Sequence, residues 1–160
     1  LGSATIVMSG INAVRSMITS VSTLDKSLTD LRMATGNSAE STKELLQTYT
    51  ALGKSIGATT IEISSAADSY LRQGKSIADT NTLIKDSMIL SKVANISSAD
   101  STMYLTSAMK GYGVATKDTL GIVDKLNAVD LVSATSAAGL AEAMSKTANM
   151  ANLSGISNPV

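Results

Sequence analysis

The stretch STKELLQTYTALGKSIGATTIEISSAADSYLRQG, residues 41–74, decides the fold. Its apolar side chains recur every three or four residues, a spacing that places them on one face of a helix. A glycine ends each apolar run, at Gly57 and at Gly74, as is typical of a helix C-terminus. The pattern therefore predicts two short amphipathic helices rather than strands. Their predicted core stripe consists of Leu45, Tyr49, Leu52, Ile56, Ala66, Ala67, Tyr70 and Leu71.

Hydroxyl side chains predict where the helices begin. Thr59 and Glu62 have the spacing of a capping box, in which the side chain of each residue accepts a hydrogen bond from the other's backbone N–H. Ser76 and Asp79 repeat that spacing. Further helices are expected to start near Ser98, Thr116 and Ser136.

The fold class that follows is all-α, an irregular bundle of about six or seven mostly short helices with one longer N-terminal helix. No two-residue hairpin signal between alternating apolar positions interrupts this pattern. Residues 1–34 are predicted to form the N-terminal helix, as the end of a longer upstream helical region. Residues 35–152 are expected to form the core helical domain, truncated at its C-terminus, and 153–160 a loop or truncated end.

The composition excludes most kinds of catalytic site. The 160 residues include no His and no Cys, which excludes His- or Cys-based catalytic triads, zinc sites with nitrogen or sulfur ligands, and disulfides. Lys+Arg 13 balance Asp+Glu 13, so the basic excess that accompanies phosphate-backbone binding is missing. We expect no enzymatic activity, no metal, no cofactor and no sequence-specific nucleic acid.

Two Gly-Lys-Ser triplets, at 53–55 and 74–76, resemble part of a phosphate-binding loop. Such a loop needs a further glycine five residues before the triplet's glycine. Thr48 and Ser69 occupy those positions, so helix ends with an exposed lysine explain the triplets better. The eight Met in a chain without Phe or Trp are predicted to fill the core, with an adaptable Met-rich groove as the alternative.

Several short motifs follow one another in a fixed order along the chain. They read MATG at 33–36, LGKSIGATT at 52–60, AMKGYG at 108–113 and DKLN at 124–127. In order and spacing, residues from about 24 to 151 resemble the conserved N-terminal core domain of phage tail tape-measure proteins. The positions that carry this likeness, among them the predicted helix stops, are Gly36, Gly53, Gly57, Gly74, Gly113, Asp124 and Leu126.

The resemblance implies a structural role in a phage or phage-like tail. Tape-measure proteins set tail length during assembly and are expelled ahead of the DNA at infection. Their implied location is the tail lumen or tip, and the host cytoplasm during assembly. The implied partners are copies of the chain itself (as a trimer or hexamer), the tail-tube protein, tail-tip or baseplate hub proteins and tail assembly chaperones. Contact with the host membrane after ejection would fall to other parts of the chain.

Two other function classes share parts of this pattern. A signalling or secreted filament bundle, of the chemoreceptor or flagellin kind, has the same wealth of small residues and few aromatics. The glycine stops argue against it because such bundles need long uninterrupted heptads. A wall-degrading enzyme is the other alternative. Its candidate carboxylates are Glu40, Glu44, Glu62, Asp68 and Glu142, although each is expected at a cap or on a polar helix face.

Overall fold

The computed structural model describes residues 22–36, 39–132 and 136–154. Within these ranges the chain is helical and forms no strand, which confirms the predicted all-α class. The described part of helix α1 covers 22–35; the remainder of the predicted long N-terminal helix lies outside the described residues. The other helices are α2 (Ala39–Ile56), α3 (Thr60–Leu71), α4 (Ile77–Val93), α5 (Ser98–Tyr112), α6 (Thr119–Val132) and α7 (Ala137–Leu153).

Local side-chain chemistry sets most of the helix ends. The capping box at the start of α3 is confirmed: the Thr59 N–H donates to Glu62 Oε2 at 2.8 Å, and the Glu62 N–H donates to Thr59 Oγ1 at 3.2 Å. Ser76 caps α4 by accepting from the Asp79 N–H at 3.0 Å. At the other ends, Gly57 and Gly113 both have φ of 66°, a left-handed conformation that glycine adopts without steric cost.

The start of α6 differs from the prediction. Thr116 does not cap this helix but begins a short 3-10 helix, Thr116–Asp118, whose own N-cap has no side-chain hydrogen bond. Helix α6 begins at Thr119, whose Oγ1 lies 2.5 Å from Asp86 Oδ2 and 2.7 Å from the Thr116 carbonyl oxygen. A contact with α4, distant in sequence, therefore fixes the point where the helix begins.

The buried side chains form one core to which all seven helices described here contribute. From α1 it takes Leu31, which is fully buried. Most of the predicted stripe on α2 and α3 lies inside it, whereas Leu52 and Ile56 are half-buried and pack against it. Aliphatic side chains of α4 and α6 and alanines of α7 complete it, including Leu83, Ile84, Val123, Leu126, Ala137, Ala141 and Ala148.

The prediction that methionines fill the core is wrong for half of the described ones. Met88 and Met109 are buried, but Met33, Met103 and Met150 are 64%, 51% and 69% exposed. At some helix contacts, small residues rather than methionines fill the core. At Gly111 on α5, an added Cβ would lie 2.1 Å from the Cβ of Ala148 on α7. These two backbones therefore approach more closely than any larger side chain would allow.

Candidate functional site

A groove of about 290 Å³ lies between α3 and α5 and is lined almost entirely by small side chains. The α3 wall carries Ser65, Ala66 and Ser69, spaced three or four residues apart as one helix face requires. Its other lining residues are Glu62, Gln73, Ser98, Ala99, Thr102, Met103, Thr106 and Ser107. Glu62 is the ionisable side chain among these described lining residues.

The carboxylate of Glu62 is engaged in capping α3. Its Oε2 accepts from the Thr59 N–H at 2.8 Å and from the Thr59 hydroxyl at 2.7 Å, while the Ser98 hydroxyl donates to Oε1 at 3.4 Å. The hydrogen bonds from Thr59 are the main reason why the pKa of Glu62 lies below its usual value. A general acid or base needs a pKa near the working pH, so this shift suits a structural carboxylate.

Two hydroxyl groups of the groove donate to the helix backbone. Thr102 Oγ1 donates to the Ser98 carbonyl at 2.8 Å, and Ser69 Oγ donates to the Ser65 carbonyl at 3.1 Å. A serine or threonine nucleophile needs a neighbouring base to take its proton. Among the side chains that line the groove, only Glu62 could do so, and its oxygens are already bound. The groove therefore offers a contact surface rather than an activated nucleophile.

Asp86 is a buried carboxyl that the sequence analysis missed. It is 4% exposed on α4, and its Oδ2 accepts from the hydroxyl of Thr119 at the start of α6. Burial raises its pKa, an effect that the Thr119 hydrogen bond opposes and the negative charge of Asp124 reinforces. The sequence did contain a sign that Asp86 would be buried, because it lies between Leu83, Ile84 and Met88 on the apolar side of α4. The hydrogen bond of Asp86 thus links α4 to the start of α6.

Two buried tyrosines remain protonated at physiological pH. The hydroxyls of Tyr70 on α3 and Ser87 on α4 lie 2.5 Å apart, and burial raises the pKa of Tyr70 to about 12. Burial also raises the pKa of Tyr49 to about 12, and the Tyr49 hydroxyl has no hydrogen-bond partner among the described residues. Both rings act as large core side chains, which a chain with four Tyr and no Phe needs.

Four of the five glycines singled out from the sequence lie at separate helix ends, and the five do not converge on one site. Gly36, Gly57, Gly74 and Gly113 all have positive φ. Gly53 instead lies within α2, where an added Cβ would come 2.6 Å from the carbonyl oxygen of Ala58. Of the two residues from the DKLN motif, Asp124 is exposed and Leu126 is buried in the core.

The described part of the chain contains neither a metal-ligand cluster nor a helix that could span a membrane. No cluster of three or more Asp, Glu, His or Cys side chains there could hold a metal ion. None of the described helices combines the length and the apolar character needed to cross a membrane.

Fold and groove together define a class of protein: a compact all-α bundle whose surface is suited to packing contacts. The family model described as "Phage-related minor tail protein" matches residues 46–158. The chain belongs to this family, and its role is that of a structural component of a phage tail. No solved structure matches the chain. Family membership favours the tail over the signalling or filament bundle that the composition also allowed.

Proposed function

We propose that the chain is a segment of a tape-measure protein, which sets the length of the tail during assembly and leaves ahead of the DNA at infection. Membership of the minor tail family carries the proposal. The ordered motifs from MATG at 33–36 to DKLN at 124–127 support the finer assignment. In this role the chain works without catalysis, in the tail lumen or tip after a period in the host cytoplasm.

Within the tape-measure protein, this segment is a compact module rather than part of the extended ruler. A fully helical chain of this length would span ~240 Å at 1.5 Å per residue, whereas a folded one has a radius of gyration of ~15 Å. The longest of the helices described in full, α2, has 18 residues. Glycines in the left-handed conformation follow α2 and α5 directly, which supports the compact form.

Self-association and contacts with tail-tube, tip or hub proteins and assembly chaperones belong to the same proposal. Two features of the surface support it. The chain has equal numbers of acidic and basic residues, so it lacks the self-repulsion that keeps charged proteins apart. The groove between α3 and α5 consists of small uncharged side chains apart from Glu62, Gln73 and Met103, and small side chains let a partner helix approach closely. A trimer or hexamer is the expected assembly.

The length-setting role can be tested with phage that carry changes in the full-length gene product. Inserting a 21-residue helical segment outside the bundle should lengthen tails by about 32 Å, at 1.5 Å per residue. An equally long insertion in a different tail gene is the control. Tails of unchanged length in electron micrographs would contradict the tape-measure assignment while leaving membership of the tail family intact.

Compactness inside the tail can be tested with cysteines, because the natural chain has none. The hydroxyl oxygens of Thr50 and Thr60 lie 3.3 Å apart in the bundle, but these residues would be about 15 Å apart along one continuous helix. The double variant Thr50→Cys, Thr60→Cys should therefore form a disulfide when purified tails are oxidised.

The matched control is Thr48→Cys, Thr60→Cys, which moves the first thiol to another face of α2. It should stay reduced under the same oxidation. If the first pair crosslinks in the free protein but not in assembled tails, the segment is extended in the tail and the compact form is confined to the free state.

A further inference from the structure

Helix α1 rests on α2 and α3 with an open crevice on each side. The crevice against α3, of about 230 Å³, is lined by Thr23, Ser27 and Asp30 of α1 and by Ile61 and Ser64 of α3. A second crevice, of about 190 Å³, separates α1 from α2. Both crevices leave part of the inner face of α1 without a packing partner.

The apolar anchor of the described part of α1 is small. Leu31 is its one fully buried side chain within 22–35, and Leu24 and Leu28 are only half-buried. Asp30 Oδ1 lies 3.6 Å from Arg72 Nη2, but Arg72 makes its shorter contact, 2.8 Å, with Asp68 of its own helix. The Arg72 side chain is 52% exposed, and exposed ion pairs of this kind contribute little to stability.

A polar group at the crevice between α1 and α3 is unsatisfied. Ser64 is fully buried, lines the crevice beneath α1, and its Oγ has no hydrogen-bond partner among the described residues. A buried hydroxyl without a partner loses its hydrogen bonds to water and gains nothing in return. Releasing α1 would return water to this hydroxyl, which offsets part of what is lost when Leu31 becomes exposed.

The junction between α1 and α2 would also allow the two helices to move apart. Helix α1 ends at Gly36, which has φ of 65°, is exposed and has open space where a Cβ would lie. The family model begins at residue 46, so α1 and the first turns of α2 lie outside the matched region. In contrast, α4 places Leu83, Ile84 and Leu90 at 1% exposure or less.

We propose that α1 is a releasable strap: it undocks from α2 and α3 as a unit while α2 to α7 stay folded. The inference rests on the packing of α1 and holds whether or not the protein measures tail length. It predicts two stabilities in one chain, a low one for α1 and a higher one for the rest.

Amide hydrogen exchange on the full chain, followed by mass spectrometry, separates these two stabilities. In the natural chain, peptides from 22–35 should exchange at least about 100-fold faster than peptides from α4 and α5. Leu31→Ala should speed exchange in α1 by a further 30-fold or so, or up to the rate of an unfolded peptide. Exchange in α4 and α5 should change less than about twofold, because sub-global opening leaves the remaining structure intact.

Ser64→Ala provides the opposite test because it removes the unsatisfied hydroxyl. It should slow exchange in α1 by about fivefold or more, while Ser55→Ala, at an exposed position of α2 outside both crevices, should leave it unchanged. Equal acceleration of all helices in Leu31→Ala, or unfolding of the whole chain, would overturn the proposal. So would the same α1 exchange rate in Ser64→Ala and the natural chain.

Discussion

At the scale of single residues, Asp86 shows how one buried carboxyl couples two helices. Its side chain accepts a hydrogen bond from the Thr119 hydroxyl, and burial raises its pKa. The folded chain therefore holds this proton at pH values where the unfolded chain has released it, so stability falls as the pH rises through the raised pKa. Glu62, whose pKa is lowered, has the opposite effect at more acidic pH.

We predict that Asp86→Asn removes the Asp86 part of this pH dependence. The amide oxygen can still accept from Thr119, but it carries no charge to desolvate. At pH 7 the free energy of unfolding of the variant should be up to about 1 kcal/mol higher than that of the natural chain. This difference should vanish towards pH 4. Urea unfolding between pH 4 and pH 7 measures this, with Asp118→Asn, at an exposed neighbouring position, as control. A variant that is less stable at pH 7 would mean that the charge itself is needed.

A second prediction at this scale concerns Gly111. An alanine there would bring its Cβ to 2.4 Å from the backbone of Ala148, so α5 and α7 must move apart. We expect a loss of about 1–3 kcal/mol in spite of alanine's better helix propensity. Gly121→Ala is the matched control, since nothing lies within 4 Å of its added Cβ, and it should stabilise the chain by about 0.5–1 kcal/mol. If both variants change the free energy of unfolding by the same amount, the close approach of α5 and α7 does not restrict the side chain at position 111.

At the scale of helices, caps decide where each element begins. Thr59→Ala removes the capping box of α3 and exposes its first N–H groups, so we expect a loss of about 1 kcal/mol. Thr48→Ala, in the exposed middle of α2, is the control and should be neutral or mildly stabilising. Thermal unfolding followed by circular dichroism measures both. A neutral Thr59→Ala would mean that packing alone holds the start of α3.

The sequence could predict those features of the fold that are determined by residues close together along the chain. The caps at Thr59 and Ser76 depend on residues three positions away, and the pattern located both. Thr116 failed as a cap because the start of α6 is fixed by Asp86, which lies 33 residues from Thr119. The contact between Gly111 and Ala148 was likewise invisible, since no local pattern announces which small residues will meet.

The same limit applies to the candidate site. Serines and alanines of α3 lie on one predictable helix face, but which helix stands opposite them depends on the whole bundle. The methionines illustrate this as well. Met88 and Met103 share the same chemistry, yet the first is 2% and the second 51% exposed, because only the tertiary arrangement decides which helix faces are covered.

At the scale of the whole molecule, compactness depends on chain reversals at glycines. Gly57, Gly74 and Gly113 have φ of 66°, 78° and 66°, and a non-glycine residue in this conformation costs about 1–2 kcal/mol. Replacing all three by alanine should cost about 3–6 kcal/mol in sum, comparable with the stability of a typical domain. Because alanine also favours continuation of a helix, the triple variant should open towards longer helices rather than lose helical structure.

We therefore predict that this triple variant separates compactness from helicity. Small-angle X-ray scattering of the natural chain should give a radius of gyration of about 15–20 Å, and that of the variant should be clearly larger, while far-ultraviolet circular dichroism stays strongly helical. The double variant Gly121→Ala, Gly139→Ala is the control, since both glycines lie within helices and are exposed; it should remain compact. A triple variant that keeps both its radius and its melting temperature would show that the buried core alone holds the bundle together. In that case the glycines would not be what keeps the segment compact.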